Sequence, residues 1–264
     1  MKDIAKYKSQ FFLIAGPCVI EDETSPLRIA EELSAISSRL GIPFVFKASY
    51  RKANRSKLNS FQGIGDEKAL NVIRKIKEEF GLTVTTDVHD VNEVKLAAEY
   101  VDILQIPAFL CRQTDLLLAA GKTEKIVNVK KGQFLSPESM KFTVEKIEST
   151  GNKNIMLTER GTTFGYGDLV VDMRSIPIMK TFGYPVVIDA THSLQRPNTS
   201  EGVTGGTPQF IQTIAKAAVA AGADGIFIET HPEPSKALSD GKNMLPLNQL
   251  ENLLQSLLQI YQVL

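Results

Sequence analysis

Eight short apolar runs, each ending in a polar or charged residue, recur along this chain: FFLIAGPC, FVFKAS, TVTTDV, ILQIPA, IVNVKK, IMLTER, VVIDATH and GIFIETH. Runs of this length, bounded by turn residues and separated by stretches long enough for a helix, read as strands of a parallel sheet buried on both faces. Eight of them with helical crossovers predict an α/β protein, a single (β/α)8 TIM barrel occupying residues 1–264 as one domain. Such barrels carry their chemistry at the carboxyl ends of the strands. Those ends hold Cys18, Lys47, Asp87, Gln105, Lys130, Arg160, His192 and Glu229, which reads as one pocket written out in chain order.

The length of 264 residues suits one barrel, and no linker interrupts the strand spacing. Lys and Arg total 30 and so do Asp and Glu, so the bulk positive charge of a general nucleic-acid binder is missing. An anionic small molecule would need a local basic pocket. Two cysteines, Cys18 and Cys111, make no disulfide framework, and a cytoplasmic location is expected. The start imitates a signal peptide, with lysines before FFLIAGPCVI. That run is short, broken by Gly16-Pro17 and followed by the acidic Glu21, Asp22 and Glu23, so it is read as the first strand. No run approaches the roughly 20 apolar residues of a membrane helix.

Helices fill the intervals. Ser25 as N-cap and Pro26 at the first helical position open a segment with Ile29, Leu33, Ile36 and Leu40 at helical spacing, stopped by Gly41. Ala69, Val72, Ile73, Ile76 and Phe80 mark a face ending at Gly81, and Phe210, Ile214, Ala217, Ala218 and Ala221 another ending at Gly222. Residues 247–264, with five leucines from 250 to 258, are expected to complete the outer ring. The stretches 49–66, 161–170 and 193–208, rich in Gly, Ser, Asn and Thr, read as long loops on the active-site face.

Cys18, His192, Glu229 and Asp240 form a candidate metal set. A thiolate, an imidazole and two carboxylates suit a divalent zinc, iron or manganese ion, and strands one, seven and eight are near neighbours in a closed barrel. Singly, each reads more blandly, Cys18 as a small hydrophobe and the others as hydrogen-bonding groups. The cations Lys47, Lys52, Arg55, Lys130, Lys131 and Arg160 are costly to desolvate without partners, and point to phosphate and carboxylate ligands. Lys131 and Lys57 are expected to face solvent or pair with nearby acids. Ser49, Asn54 and Ser56 supply neutral donors among them. Asp87 can bind hydroxyls or act as acid or base. His89 contacts ligand or orients its loop. His231, before Pro232, and Cys111 read as structural.

A specific resemblance rests on AGPCVIE at 15–21, FKASYRKANRS at 46–56, LQIPAFLCRQTDLL at 104–117, VNVKKGQF at 127–134, LTERGTTFGY at 157–166, DATHS at 189–193 and ETHPEPSKALSDG at 229–241. Together these segments resemble the 3-deoxy-D-manno-octulosonate 8-phosphate synthase family over nearly the whole chain. The resemblance implies condensation of phosphoenolpyruvate with D-arabinose 5-phosphate and water, releasing inorganic phosphate, in lipopolysaccharide inner-core synthesis. It implies that Lys47, Ser49, Lys52, Gln105, Lys130, Arg160 and His192 surround phosphoenolpyruvate, with Lys130 and Arg160 on its phosphate. Asn54 and Asp87 would meet sugar hydroxyls. Arg55 and Ser56 would hold the sugar phosphate across a subunit boundary in a homotetramer. Lys52, Asp87, His192 and Cys18 would be the catalytic group.

The family divides into a metal-dependent class with cysteine in the first-strand motif and a metal-independent class with asparagine there. Cys18, with His192, Glu229 and Asp240, resembles the first. Two competing readings are 3-deoxy-D-arabino-heptulosonate 7-phosphate synthase, which takes erythrose 4-phosphate, and a non-catalytic phosphosugar-binding barrel. Against the former stands KANRS, where that relative shows a KPRTS type of segment.

Overall fold

Each apolar run becomes a strand, and the strands close on themselves. The structure, a computed structural model, describes residues 4–55, 57–196 and 204–264. The barrel runs through β1 (Phe12–Gly16), β2 (Phe44–Lys47), β3 (Thr83–Asp87), β4 (Ile103–Ile106), β5 (Ile126–Lys130) and β6 (Ile155–Glu159). A hairpin then supplies β7 (Thr162–Phe164) and β8 (Asp168–Val170). The barrel resumes with β9 (Val186–Asp189), passes the antiparallel pair β10 (Gln195–Arg196) and β11 (Gly205–Gly206), and ends with β12 (Gly225–His231). β6 pairs with β9, β9 with β12, and β12 with β1, all parallel, so the ring has no open edge. A two-residue strand, β13 (Leu245–Pro246), extends β12.

The two-residue period of a strand sorts the side chains into two cores. Phe12, Ile14, Val45, Ile103, Ile126, Met156, Val187 and Phe227 fill the barrel interior, and helix α1 (Lys6–Ser9) closes its amino-terminal end with Tyr7 against Phe12. The alternate positions, among them Leu13, Ala15, Phe44 and Phe46, pack outward under the helices. That ring comprises α2 (Ser25–Leu40), α3 (Asp66–Phe80), α4 (Val91–Ala98), α5 (Thr114–Gly121), α6 (Met140–Glu148), α7 (Ser175–Lys180), α8 (Ile211–Ala220) and α9 (Leu250–Tyr261). Full burial of one such aliphatic or aromatic side chain contributes about 1.5–3 kcal/mol, so this double core outweighs the cost of the polar layer above it.

Two steps further along the inward rows, the apolar interior turns polar. Val45 gives way to Lys47, Ile103 to Gln105, Ile126 to Asn128 and then Lys130, Met156 to Thr158 and then Arg160, Val187 to Asp189, and Phe227 to Glu229. All are buried. This alternation, not loop placement alone, aims the strand-end residues at one point.

Some local expectations are corrected. Ser25 is the first helical residue of α2 rather than its cap; Asp22 Oδ1 accepts from the backbone amides of Thr24 and Ser25, each at 2.7 Å. The inward face of α8 is Ile211, Ala215, Ala218 and Val219, one position on from the expected stripe, and Phe210 is half exposed. The run of alanines there has two nearly equivalent stripes, and the bulk of Ile211 and Val219 selects between them. Residues 161–170, expected as a long loop on the active-site face, lie on that face but form the β7–β8 hairpin. Residues 197–203 and Ser56 lie outside the described residues.

Gly16 sits where β1 crosses close to β2, and a Cβ built there would lie 2.0 Å from the Lys47 carbonyl oxygen. Because that obstacle is backbone, Gly16→Ala is expected to lower unfolding free energy by about 3 kcal/mol through forced overpacking, read as a reduced urea midpoint. An unchanged midpoint would show that the strands part freely here.

Candidate active site

At the carboxyl ends of the strands lies a cavity of about 340 Å³. Its cationic walls are Lys47, Lys52, Arg55, Lys130 and Arg160, and its acids are Asp87, Glu229 and Asp240, with Asp168 in the β8 strand above. His192, His89 and Asn54 also face it. Ser49, Gln105 and Cys18, all buried, stand outside that lining.

Ser49 and Gln105 instead grip Asp87. Gln105 Nε2 donates to Asp87 Oδ1 at 2.6 Å, and Ser49 Oγ donates to Oδ2. Behind them, Asn128 donates to Gln105 Oε1 at 3.1 Å and Thr158 to Asn128 Oδ1 at 2.7 Å, so four adjacent strands share one polar layer. Burial alone would lift the Asp87 carboxyl, but Lys47, Lys52 and Lys130 outweigh it and hold it well below the ordinary carboxylate range. Asp87 is therefore an anion fixed by two neutral donors, facing the cavity.

Lys47, 1% exposed, donates to Glu229 Oε1 at 2.9 Å and to Ser49 Oγ at 3.2 Å. Lys130 donates to Asp189 Oδ2 at 2.5 Å and lies 3.8 Å from the Phe227 ring centre. Burial pulls the Lys130 ammonium below its usual value, and Asp189 only partly opposes this. Asp189 also takes His192 Nδ1 at 2.7 Å and the His192 backbone amide at 2.8 Å. It thus orients both a lysine and a histidine. Sequence reasoning missed it, although it is the polar terminus of VVID, because the more reactive His192 follows three residues later.

Arg160 is 5% exposed, and burial depresses its guanidinium. Nη2 donates to Gln195 Oε1 at 2.7 Å, while Nη1 finds no hydrogen-bond partner among the described residues. A buried guanidinium nitrogen with a free donor on a cavity wall has the chemistry to receive an anion. Lys52 comes no nearer to an acid than 3.9 Å, from Glu229, among the described residues. Lys131 takes the acid-pairing alternative of its expectation. It is buried and reaches Glu159 Oε1 at 3.4 Å, whereas Lys57 is exposed. Gln133, Phe134 and Phe109 complete the wall, and no charge or periodicity in the sequence marks them.

Of the candidate metal ligands, Cys18 Sγ and single carboxylate oxygens of Glu229 and Asp240 lie within 4.8 Å of one another. Donor atoms sharing one ion at bonds of about 2.0–2.3 Å sit no more than about 4.6 Å apart, so the set fits after a slight closure. Cys18 Sγ lies 2.8 Å from Ser239 Oγ and donates to Asp240 Oδ2 at 3.2 Å. Burial, and then the charge of Glu229, push the thiol far up, so a thiolate forms there only with a compensating cation. Glu229 Oε2 is buried without a hydrogen-bond partner among the described residues, which a metal bond would satisfy. His192 stands beside this trio rather than within it, its Nε2 3.3 Å from Glu229 Oε2, because Asp189 draws the other face of the ring away.

His89 Nδ1 and its backbone amide both meet Glu93 Oε2, at 2.7 and 2.8 Å, which fixes the ring against the β3 end of the cavity. His231 Nδ1 accepts the Glu233 amide at 3.0 Å within its turn, and Cys111 is buried against the Gly132 loop.

Fold and cavity together define a class: a (β/α)8-barrel enzyme with a cation-lined pocket at the carboxyl ends of its strands. The sequence profile described as the DAHP synthetase I family matches residues 3–264. A protein of Geobacter metallireducens named 2-dehydro-3-deoxyphosphooctonate aldolase is 56% identical over 245 residues, 93% of this chain and 90% of the relative. Its namesake in Trichlorobacter lovleyi is 55% identical over 245 residues, again 93% and 90%. That of Koribacter versatilis is 51% identical over 263 residues, 98% and 94%. The chain belongs to the DAHP synthetase I family.

Proposed function

We propose that this enzyme condenses phosphoenolpyruvate with D-arabinose 5-phosphate and water to give 3-deoxy-D-manno-octulosonate 8-phosphate and inorganic phosphate. The observation that carries the reading is the cavity, where Arg160 Nη1 is left unpaired near Lys130 among the described residues, in a chain whose relatives bear that enzyme's name. Arg160 and Lys130 bind the phosphate of phosphoenolpyruvate, and Lys47, Lys52 and His192 surround the rest. Ser49 and Gln105 act through Asp87, which with Asn54 receives sugar hydroxyls. Arg55, on the wall of this chain's own cavity, holds the sugar phosphate together with Ser56, in a homotetramer. His192, kept oriented by Asp189, moves a proton at the aldehyde oxygen or at the water that adds to phosphoenolpyruvate.

Cys18, Glu229 and Asp240, with His192 alongside, would hold a divalent zinc, iron or manganese ion. When bound, such an ion supplies Lewis acidity, polarising a carbonyl or easing ionisation of water. The remaining chemistry belongs to the chain. Residues 1–264 act as one catalytic domain, in the cytoplasm, feeding lipopolysaccharide inner-core synthesis. Among the described residues no helix is long and apolar enough to cross a membrane.

An aldose panel tests the substrate. Loss of phosphoenolpyruvate absorbance is expected with arabinose 5-phosphate and not with erythrose 4-phosphate, with one inorganic phosphate released per turnover. Consumption with the four-carbon sugar alone would shift the assignment to the heptulosonate synthase. Ligand binding without phosphate release would leave only a sensor.

A further inference from the structure

Behind the cavity wall lies a charged pair that touches neither the cavity nor solvent. Lys131 and Glu159 are each 1% exposed, and Lys131 Nζ is 3.4 Å from Glu159 Oε1. The ammonium also donates to the carbonyls of Gly132 and Leu135, at 3.3 and 3.2 Å, and to Thr162 Oγ1 at 3.1 Å. Those acceptors belong to two different segments: 132–135 carries Gln133 and Phe134 on the cavity wall, and Thr162 opens the β7–β8 hairpin. The Thr163 amide donates to the Gln133 carbonyl at 2.9 Å, so the two are already neighbours. On the other side, Glu159 Oε1 accepts the backbone amides of Arg160 at 2.9 Å and Gly161 at 2.7 Å. Glu159 Oε2 has no hydrogen-bond partner among the described residues.

A buried ion pair is a poor device for stability, since desolvation of both charges offsets most of their attraction. Its value must lie in what it orders. We infer that the Lys131–Glu159 pair is the positioning element that sets Arg160 and the Gln133–Phe134 wall against one anionic group of the substrate. Glu159 fixes the Arg160 backbone where its strand ends, with Gly161 turning the chain next to it. Lys131 ties that strand end to the opposing loop and to the hairpin. Neither residue meets substrate. The inference rests on the reading of Arg160 as a ligand of the phosphoenolpyruvate phosphate, and it adds the groups that hold Arg160 in place.

The test uses Lys131→Met, Lys131→Met/Glu159→Gln and Arg160→Met, with phosphoenolpyruvate binding measured by calorimetry and melting measured in parallel. Lys131→Met leaves Glu159 buried and unpaired and is expected to melt early. The double variant removes both charges while the new side-chain amide oxygen still accepts the two backbone amides, so its melting temperature returns close to wild type. Its affinity for phosphoenolpyruvate is nonetheless expected to stay about tenfold weaker, the scale of a small misplacement of a binding group. That loss should vanish when Arg160→Met is already present, because the pair acts through Arg160. A folded double variant that binds like wild type, or a loss undiminished in the Arg160→Met background, overturns the inference alone. Wild-type protein that fails to bind phosphoenolpyruvate removes the proposed function and this inference with it.

Discussion

Cys18→Ala is expected to reduce turnover roughly 10³-fold, since a bound cation supplies several kcal/mol of transition-state stabilisation and each 1.4 kcal/mol is about tenfold. The thiol is the soft member of the trio that lies within 4.8 Å, and its loss leaves two carboxylates and an adjacent imidazole to hold the ion. Metal content, measured after dialysis by atomic emission, should fall together with activity. Stability should fall only modestly, because Cys18 is a neutral buried thiol whose lost contacts are those to Ser239 Oγ and Asp240 Oδ2. Cys18→Asn is expected to recover more activity than Cys18→Ala, as an amide can again donate to Asp240 Oδ2, now served by the thiol at 3.2 Å. Full turnover of Cys18→Ala in chelator would refute the metal assignment outright.

Arg160→Met is expected to lower kcat/KM for phosphoenolpyruvate on the order of 10³-fold, the scale seen when a charged group is deleted from a desolvated anion site. Most of the change should appear in KM for that substrate, with KM for the sugar phosphate little altered. Melting should hold or rise. Arg160 carries a buried, depressed guanidinium with one nitrogen unpaired among the described residues, so its removal relieves a desolvation cost and leaves no buried charge behind. Lys130→Met makes the contrast. It strips Asp189 of its 2.5 Å ammonium partner and should lose about 3 kcal/mol of stability along with activity. If Arg160→Met were destabilised like Lys130→Met, the side chain would be a structural tie and not a ligand group.

The barrel was legible because its strands announce themselves twice, by apolar runs of strand length and by the helix-length gaps between them. The helix stops at Gly41 and Gly81 were legible for the same kind of local reason, a left-handed φ of 67° and 64° that glycine adopts without strain. The stripe of α8 was not, since Phe210 and Ile214 on one side and Ile211 and Val219 on the other flank the same alanines, and packing against the barrel chose the second set. Lys131 was legible only as a choice between solvent and a nearby acid. The convergence of Glu159, Thr162 and two loop carbonyls decides for the acid and offsets the cost of its burial.

Local order along the chain was enough to name the strand ends as polar and to number them around a closed ring, because a period of two and a turn signal need only near neighbours. Which polar atoms meet was settled in three dimensions. Asp189 faces Lys130 and His192, Ser49 and Gln105 turn to Asp87, and His192 stands aside from Cys18, Glu229 and Asp240. Pairing of buried charges depends on distances between residues up to about two hundred positions apart, as between Lys47 and Glu229, and such distances exist only once the ring has closed.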